Sequence, residues 1–474
     1  MTDSVTDADT TLPVPHVPPL RRSQGFRNFW LSRAVSGLGS AVTTVALPVL
    51  VFQQSRSPLP VSLVAAAGTL PYLVFGLVAG AVADRVDRRT LMIGTDCLSA
   101  LCLGSVPVAQ ALGALTVGQV VVVAFLCSSL SLFFDAGGYG FVPALVGKNR
   151  LAEANSALYG AETVVRIIGN GVAGVLIALV HPVGTLTLDA LSFAGSALFL
   201  RAVANDPARA ASSGPRTGFR RAVPNAPARA VSSPPRTSPH RAVPYAPAPA
   251  HAATNTPAPA ASSGPRPGLR ESVAEGLRFL AGHPTLRVMT VVGTLQSFSG
   301  GAIVGQLVVF ADRVLGVHGS DGRIGLLYMA WSAGGIGGSL LLPRLRRRYD
   351  AFPLLLLVLP VGALLGLVVV LSTDWRIAMV ALASWGTAYL VVLVNTMTYS
   401  QEVTPAELQG RVNTTRRMLS SGLGVPLGAL VASGVTVSAG IRAGMATAVA
   451  SITLAAIVVW VVQLRGLPGP TAEA

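Results

Sequence analysis

Long apolar runs separated by short charged segments are the feature that most constrains this chain. Val61 to Ala79 is almost wholly apolar, and Leu91 to Leu112 carries Asp96 as its one charged side chain. Each run is long enough to cross a hydrocarbon core of about 30 Å at about 1.5 Å of rise per residue. Residues 80–90 hold five charges between the two runs. We therefore expect them to form a tight hairpin at one membrane face.

The composition is that of an integral membrane protein. Of the 474 residues, 51% are hydrophobic and 12% are charged, whereas an ordinary soluble domain has about 25% charged residues. The net charge of +15 comes almost wholly from arginine, because Lys148 is the only lysine. The arginines concentrate in connecting segments and tails, which indicates contact with anionic lipid headgroups. Binding to nucleic acid is not needed to explain them, and none is expected.

The sequence contains no pattern for an enzyme or a bound cofactor. Cys97, Cys102 and Cys127 lie inside apolar runs without the spacing of a metal site or a disulfide framework. No ATP-binding loop, catalytic triad or metal cluster is present in the sequence. We therefore expect neither enzymatic activity nor a cofactor or metal. The energy for any transport would come from an ion gradient, with protons as the expected coupling ion.

Twelve apolar runs divide six and six around a segment of different composition. The predicted membrane helices are residues 31–52, 60–82, 90–112, 117–138, 156–180 and 183–203, then 288–310, 324–342, 352–371, 376–398, 412–435 and 443–462. Residues 204–267 form a Pro/Ala/Ser/Arg repeat that cannot bury a core, so we expect a disordered cytoplasmic linker. The predicted domains are a tail at 1–24, a six-helix bundle at 25–203, the linker, a surface helix at 269–286 with a second six-helix bundle within 268–463, and a tail at 464–474.

The positive charges predict the orientation of the chain. Three arginines follow the second predicted helix, and four follow the eighth, at residues 344–348. Connecting segments on the other side carry isolated basic residues such as Arg56 and Arg442. Positively charged segments remain in the cytoplasm. The sequence therefore predicts a multi-pass protein of the cell membrane with both termini cytoplasmic.

The hairpin carries a recognisable motif. Gly80, Asp84, Arg85, Arg88 and Arg89 follow the pattern G-x-x-x-D-R-x-G-R-[RK], with Asp87 in place of the second glycine. The chain thereby resembles the major facilitator superfamily, in particular its enterobactin-exporter-like and macrolide-efflux-like branch. Residues 143–155 and 405–413 also echo one another after the fourth and tenth predicted helices, as internal repeats of carriers do. The resemblance implies an all-α membrane fold of twelve helices in two pseudo-symmetric six-helix bundles.

The resemblance also implies that the hairpin gates transport. We expect an Asp84–Arg88–Asp135 relay that latches helices two, three and four, with Asp84 also docked near Arg411 at the start of helix eleven. This latch would stabilise the outward-open state. Gly80 is expected to let two helix backbones approach closely. A loop that only sets the topology is the alternative. The predicted gating residues are Gly80, Asp84, Arg85, Arg88, Arg89, Asp135 and Arg411.

Charged side chains inside the predicted helices are costly and need a reason. Arg33, Asp96 and Asp135 lie toward the cytoplasmic side, and Arg166 lies deeper, within reach of Asp96. Either Asp96 titrates during transport and releases Arg166 for an anionic group, or the two form a permanent structural pair. Asp189 is either a proton acceptor or a hydrogen-bonding residue between packed helices. In the second half, the candidate cavity residues are Gln296, Tyr328, Trp331 and Asn395.

These features together predict a secondary active transporter. We expect proton-coupled efflux of a drug, a siderophore or another small secondary metabolite by alternating access. The expected partners are the small-molecule substrate and membrane lipids, and the protein is expected to be a monomer. An inward carrier of a nutrient or metal chelate is one alternative. A non-transporting membrane scaffold or sensor is the other.

Overall fold

The computed structural model describes residue 20 and residues 23–147, 150–203, 269–318, 321–405 and 408–465. Helices dominate these residues, and no β-strand occurs among them. The predicted linker lies outside the described residues, as do most of the predicted N-terminal tail and the chain after residue 465. The described residues thus make up two helical halves, one on each side of the predicted linker.

Six crossings form the first half. The helices are α1 (Gln24–Ser55), α2 (Pro58–Ala67), α3 (Pro71–Ala83), α4 (Arg88–Ala111), α5 (Val117–Val146) and α6 (Leu151–Ala202). α2 and α3 together make the second crossing, with a break at residues 68–70. Pro71 follows the break at the first position of α3, where a missing backbone N–H is tolerated.

The helix α6 contains two crossings joined by a sharp kink. His181 has φ of 67° and ψ of 157° inside the helix, and Pro182 follows it. The apolar stretch Glu153–Arg201 is 49 residues long, whereas one crossing needs about 20. Eleven helices in the described chain are long and apolar enough to span a membrane, so the doubled α6 gives twelve crossings. The twelve-helix prediction is confirmed, with helices five and six meeting at His181.

The second half repeats this arrangement after a short surface helix. Its elements are α7 (Leu269–Gly282), α8 (Pro284–Arg313), α9 (Arg323–Arg346), α10 (Ala351–Leu371), α11 (Trp375–Val403), α12 (Gln409–Arg417), a π-helical segment (Met418–Gly424), α13 (Val425–Ala439) and α14 (Ile441–Leu464). The eleventh crossing is therefore α12, the π-helical segment and α13 in succession.

Several helices run beyond their predicted ends. α5 continues to Val146 and α6 begins at Leu151, so most of the segment between the predicted helices 117–138 and 156–180 is helical. α11 likewise ends at Val403 rather than at residue 398. An apolar run marks only the part of a helix inside the hydrocarbon. The backbone hydrogen bonds continue past it into the polar interface, where polar side chains are tolerated.

Helix packing relies on small residues, as expected in lipid. In the first half α1 packs against α6, and α4 packs against α5 and α6. In the second half α8 packs against α13 and α14, and α9 against α11. At Gly334 of α9, an added Cβ would lie 2.0 Å from the carbonyl oxygen of Ala383 in α11. Only glycine permits this approach between the two backbones.

The two halves meet mainly through α6 with α9, and α2 with α8 and α13. We call the end of the bundle that carries the turns at 84–87 and 347–350 the motif end. The opposite end, which carries His181, is the far end. The α2 helix and the kink of α6 thus lie toward the far end, and the hairpin with its motif lies at the motif end.

Candidate functional site

A cavity of about 640 Å³ lies between the two halves. Its walls come from α1 and α3 to α6 of the first half and from α9 and α11 of the second. Pockets of about 300–1,000 Å³ suit small organic ligands. The cavity is therefore large enough for a drug-sized molecule.

Glycine contacts close the cavity at the far end. An added Cβ at Gly325 in α9 would lie 2.4 Å from the backbone nitrogen of Gly174 in α6. An added Cβ at Gly174 would lie 2.2 Å from the carbonyl oxygen of Gly322. The two backbones thus touch with no room for a side chain. Beside them, the Arg323 guanidinium donates to Asp321, with Nε and Oδ2 2.6 Å apart, and this bond lowers the pKa of the Asp321 carboxyl.

A buried hydrogen-bond network links the halves at the same end. Gln306 Nε2 of α8 donates to Ser62 Oγ of α2 at 2.8 Å. Thr436 Oγ1 of α13 donates to Gln306 Oε1 at 3.0 Å. All three side chains are buried. We call Ser62, Gln306 and Thr436 the far-end latch.

Toward the motif end the cavity is open. Its wall there includes Trp30 near the start of α1, Leu158 near the start of α6 and Ser339 near the end of α9. The Glu162 side chain, also in the wall, is 51% exposed. A molecule enters or leaves this conformation through the motif end.

An ion-pair cluster lines the first-half wall. Arg33 Nη1 of α1 donates to Asp135 Oδ1 of α5 at 2.7 Å, and Arg33 Nη2 lies 3.9 Å from Glu162 Oε2 of α6. The Arg33 guanidinium also lies 5.5 Å from the ring centre of Phe134. One arginine therefore joins two carboxylates, so that three helices meet at it. The sequence predicts a depth for Arg33 but no role, because nothing local identifies a partner 102 residues away.

The second step of the predicted relay, from Arg88 to Asp135, is not formed in this conformation, in which the motif end is open. Arg88 does pair with Asp84, with Nη2 and Oδ1 3.6 Å apart. However, Arg88 Nη1 donates to the carbonyl oxygen of Gly140 at 2.8 Å, while Asp135 is paired with Arg33. Asp135 faces the cavity, whereas Arg88 reaches α5 more than one helical turn closer to the motif end.

Three other predicted gating residues also lie at the motif end. Arg411 pairs with Glu275 of the surface helix α7. Arg89 donates to the carbonyl oxygens of Leu200 and Arg201 at the end of α6, as suits a cation at a helix C-terminus. The Arg85 side chain is exposed.

The expected close approach at Gly80 is likewise not seen in this conformation. An added Cβ at Gly80 would meet nothing within 4 Å. At Gly76, one turn earlier, an added Cβ would lie at an ordinary 3.8 Å from Met418. In this conformation neither glycine is needed for backbone contact, because the neighbouring helix approaches α3 through Gly422 and Leu73 instead.

Asp96 and Arg166 both line the cavity but do not pair. Asp96 Oδ2 accepts from Ser196 Oγ at 2.6 Å, and Ser196 is in turn 2.8 Å from Ser32 Oγ. No ion pair within 4 Å joins Asp96 to Arg166, although both belong to the described chain. The alternative of a permanent Asp96–Arg166 pair is therefore not observed, and a hydroxyl on the second arm of α6 donates to the Asp96 carboxyl instead.

Asp189 lies outside the cavity wall, between α1 and α6. Thr43 of α1 donates to its Oδ2, and Ser192 donates to its Oδ1 at 2.9 Å. An added Cβ at Gly39 would lie 1.9 Å from Asp189 Oδ1. These contacts favour the helix-packing interpretation over the proton-acceptor one.

Of the four second-half candidates, Tyr328 and Trp331 line the cavity. Gln296 and Asn395 are buried elsewhere in the bundle, and Asn395 Nδ2 donates to the Ala351 carbonyl oxygen at 2.8 Å. Trp331 belongs to an aromatic cluster that the sequence did not predict. Its ring centre lies 6.1 Å from that of Trp385 and 6.0 Å from that of Tyr389.

The spacing of Trp385 and Tyr389 by four residues was the available signal, since it puts both rings on one face of α11. Tyr389 joins Trp331 in the cavity wall. Within the described ranges, no three His, Cys, Asp or Glu side chains lie close enough together to hold a metal ion. The cavity thus offers charges on one wall and aromatic rings on the other.

Two helical halves around a central cavity, open at one end, define a membrane transporter of small solutes rather than an enzyme. The chain belongs to the major facilitator superfamily, whose sequence model matches residues 29–421. This match confirms the family and the fold that the hairpin motif predicted.

Individual relatives cover less of the chain. It is 37% identical over 169 residues to the multidrug efflux pump Tap of Mycolicibacterium fortuitum, a match that covers 34% of this chain and 41% of the pump. It is 26% identical over 166 residues to macrolide efflux protein A of Streptococcus pyogenes, covering 35% and 41%. The matched region therefore spans about two-fifths of these relatives.

Solved structures share the fold over nearly the whole length. A bacterial homologue of the human lysosomal transporter Spinster has a TM-score of 0.65 at 15% identity, covering 96% of this chain and all of that one. The fucose:proton symporter FucP of E. coli has a TM-score of 0.52 at 13% identity, covering 94% and 98%. These similarities establish the architecture.

Proposed function

We propose that this protein is a secondary active exporter of drug-like or other small amphipathic metabolites, coupled to protons and working by alternating access. The observation that carries the proposal is the drug-sized cavity, closed by the glycine contacts at the far end and open at the motif end. The matched relatives, a multidrug and a macrolide efflux protein, support export as the direction. The substrate, the coupling ion and the direction all belong to the proposal.

The arginine distribution supports a cytoplasmic motif end, in the cell membrane, with both termini inside. The conformation with an open motif end is then inward-facing. In an exporter this state takes up the substrate from the cytoplasm or the inner leaflet. A monomer is the proposed working unit.

The transport step would exchange one set of contacts for another. The Gly174–Gly325 contact and the far-end latch open, while α3 and the eleventh crossing, already in contact through Leu73 and Gly422, close further at the motif end. Interfaces of packed helices switch between discrete arrangements rather than deform continuously. The latch contacts are therefore the ones that must break to release a substrate outside.

Asp96 is the proposed proton carrier of the first half. It is buried, lies in the cavity wall and has a hydroxyl partner that can donate to it or accept from it. A neutral carboxylic acid is cheaper to bury than a carboxylate. Proton uptake at Asp96 from outside and release to the cytoplasm would drive export in the opposite direction.

Everted membrane vesicles test the proposal. A growth-inhibition panel with and without expression identifies an exported compound, and that compound is then offered to everted vesicles whose interior has been made acidic. We expect accumulation that collapses when a protonophore dissipates the gradient. Accumulation in right-side-out vesicles instead would identify an importer and overturn the proposal.

Deleting residues 206–265 separates a carrier from a scaffold. The described residues that line the cavity all lie outside this segment, so an exporter keeps its vesicle transport without it. If the deletion abolishes the cellular phenotype while vesicle transport was never detectable, the scaffold alternative is the better one.

A further inference from the structure

Three polar residues of α6 form a stripe along the cavity. Glu162, Arg166 and Asn170 are spaced by four residues, and all three line the wall. Side chains four apart lie on the same face of a helix, one above the other. The stripe therefore runs from the open motif end toward the closed far end, with Arg166 in the middle.

Arg33 and Arg166 are the two cations among the described residues of this wall, and only Arg33 has a carboxylate partner there. Asp135 is bound to Arg33 at 2.7 Å, and Glu162 lies 3.9 Å from the same arginine. Arg166 is exposed to the cavity. Within the described chain, none of the ion pairs or hydrogen bonds involves it. A cation at mid-membrane depth without a partner is costly, and such a position is where a ligand supplies the partner.

Two buried polar atoms without a hydrogen-bond partner among the described residues lie beyond Arg166, toward the closed end. Asn170 Nδ2 donates to Ser332 Oγ at 2.7 Å, but Asn170 Oδ1 has no hydrogen-bond partner among the described residues. The Tyr328 hydroxyl also lacks one there. Both side chains are more than nine-tenths buried and belong to the cavity wall. Buried polar atoms are nearly always satisfied, so these two atoms fit the polar groups of a bound molecule.

The facing wall is aromatic. Trp331 and Tyr389 line it, with ring centres 6.0 Å apart and ring planes at 77°. Such rings bury a large apolar area and pack well against planar groups. The described side chains that α9 and α11 contribute to the wall include no charged one.

We propose that the cavity selects amphipathic acids, with the carboxylate or a similar anionic group on Arg166 and a planar apolar body against Trp331 and Tyr389. Hydroxyl or amide groups of the same molecule bind Asn170 Oδ1 and the Tyr328 hydroxyl. The inference rests on the proposed transport function and names its substrate class. Amphipathic cations are the competing class, but Asp135 and Glu162 in the wall already share Arg33, and the third carboxyl there, Asp96, accepts a hydrogen bond from Ser196.

Binding to the purified full-length protein in lipid nanodiscs tests this selection. The probes are 1-naphthylacetate, 1-naphthylacetamide and 2-(1-naphthyl)ethylamine, which share one ring system and differ in charge. Isothermal titration gives the affinity of each. We expect the acid to bind at least tenfold more tightly than the amide and the amine. An amine that binds as tightly as the acid, or more so, overturns the proposal without any mutation.

Variants locate the anion site. Arg166→Gln should remove the preference for the acid, and Arg166→Lys should restore part of it. Arg348→Gln removes an exposed arginine from the turn at 347–350 and serves as the control for net charge, with no expected effect. Each variant must keep the wild-type elution profile and melting temperature. A preference for the acid that persists in Arg166→Gln overturns the assignment of Arg166.

The same anion chemistry could come from a lipid headgroup. Nanodiscs of phosphatidylcholine and of phosphatidylglycerol separate the two sources. Equal affinity for 1-naphthylacetate in both supports a soluble acid. Loss of acid binding in phosphatidylglycerol alone means that a lipid headgroup occupies Arg166, which overturns the proposal.

The experiments distinguish a failure of the proposed transport function from a failure of the proposed substrate class. If everted vesicles accumulate a compound from the growth panel but binding shows no preference for the acid, this inference fails and the proposed function stands. If the acid preference depends on Arg166 and no compound is ever accumulated, the proposed function fails and the site remains.

Discussion

Arg33 of α1 donates to Asp135 of α5 at 2.7 Å in the cavity wall. The two side chains are 28% and 31% exposed, so the pair lies between the surface and buried extremes. Breaking a surface pair costs about 0–1 kcal/mol, and breaking a buried one about 3–5 kcal/mol. The pair also ties the first crossing to the fourth, next to the entrance of the cavity.

We expect Asp135→Ala to lower vesicle transport by about tenfold, with a loss of about 1–2 kcal/mol of stability between those extremes. Arg33 would then pair with Glu162 alone, 3.9 Å away. The loss of the Asp135 carboxylate would also change the net charge at the cavity entrance. Transport assays at matched protein levels measure the effect. Glu153→Ala, which removes an exposed carboxylate paired with Arg150, is the control. Unchanged transport in Asp135→Ala would mean that the pair only stabilises the fold.

The glycine contact at the far end predicts a conformational block. Gly325→Ala places a methyl group 2.4 Å from the Gly174 nitrogen, so the far end can no longer close in the inward-facing state. We expect loss of transport and a shift toward the outward-facing state. Spin labels at the exposed far-end residues Leu112 and Val437 report the opening as a distance change. Gly104→Ala, where a Cβ meets nothing within 4 Å, should leave both readouts unchanged.

The far-end latch predicts a smaller shift of the same kind. Gln306→Leu removes the hydrogen bond to Ser62, which joins the halves, and the one to Thr436 within the second half; a net hydrogen bond is worth about 0.5–1.5 kcal/mol. A change of about 1.4 kcal/mol is tenfold in an equilibrium. We therefore expect the outward-facing population to rise about tenfold in the same spin-label measurement.

The control for the latch comes from the same helix. Gln296→Leu replaces another buried glutamine of α8, whose Oε1 has no hydrogen-bond partner among the described residues. It should leave the distance distribution as in the wild type. Equal shifts in both variants would mean that the effect comes from replacing a buried glutamine in α8, not from losing the far-end latch.

Asp96 and Asp189 predict opposite outcomes for the same substitution. Both are buried carboxylates with a serine donor, but only Asp96 lines the cavity. We expect Asp96→Asn to abolish substrate-induced proton release, measured with a pH indicator in lightly buffered vesicles. Asp189→Asn should keep proton release and lower the melting temperature. The reverse result would move the proton site to the α1–α6 interface.

The surroundings of Gly80 predict that alanine is tolerated there, although the hairpin motif has a glycine at this position. A Cβ there meets nothing within 4 Å, and alanine is better than glycine in a helix by about 0.5–1 kcal/mol. We expect Gly80→Ala to keep or raise the melting temperature of the inward-facing state. Gly422→Ala, where a Cβ would lie 2.7 Å from the Leu73 nitrogen, should lower it. If Gly80→Ala also abolishes transport, the glycine is needed only when the motif end closes.

The number of crossings could be predicted from the sequence because the membrane imposes a length on each apolar run. His181 and Pro182 lie at the predicted boundary between helices five and six for the same reason. The depth of Asp96, Asp135 and Arg166 could be predicted as well, since position along a helix is position along the membrane normal.

Partner choice could not be predicted, because it depends on how each helix is rotated about its axis. Arg88 and Arg33 are both within reach of α5 by depth, yet Arg88 reaches Gly140 and Arg33 reaches Asp135. For the same reason, the sequence did not predict the pairing of Arg411 with Glu275 or the hydroxyl partner of Asp96. An apolar background carries no periodic signal that would identify the inward face of a helix.

The kink at His181 has a mechanical consequence. Because two crossings of α6 meet with no intervening loop, neither arm can slide along its axis without dragging the other by the same amount. A flexible loop would let the fifth crossing tilt alone. The direct connection at His181 instead transmits a tilt of the fifth crossing to the sixth, and through α1 to most of the first half. Lengthening the joint with glycines after His181 would uncouple the two arms and leave each one folded.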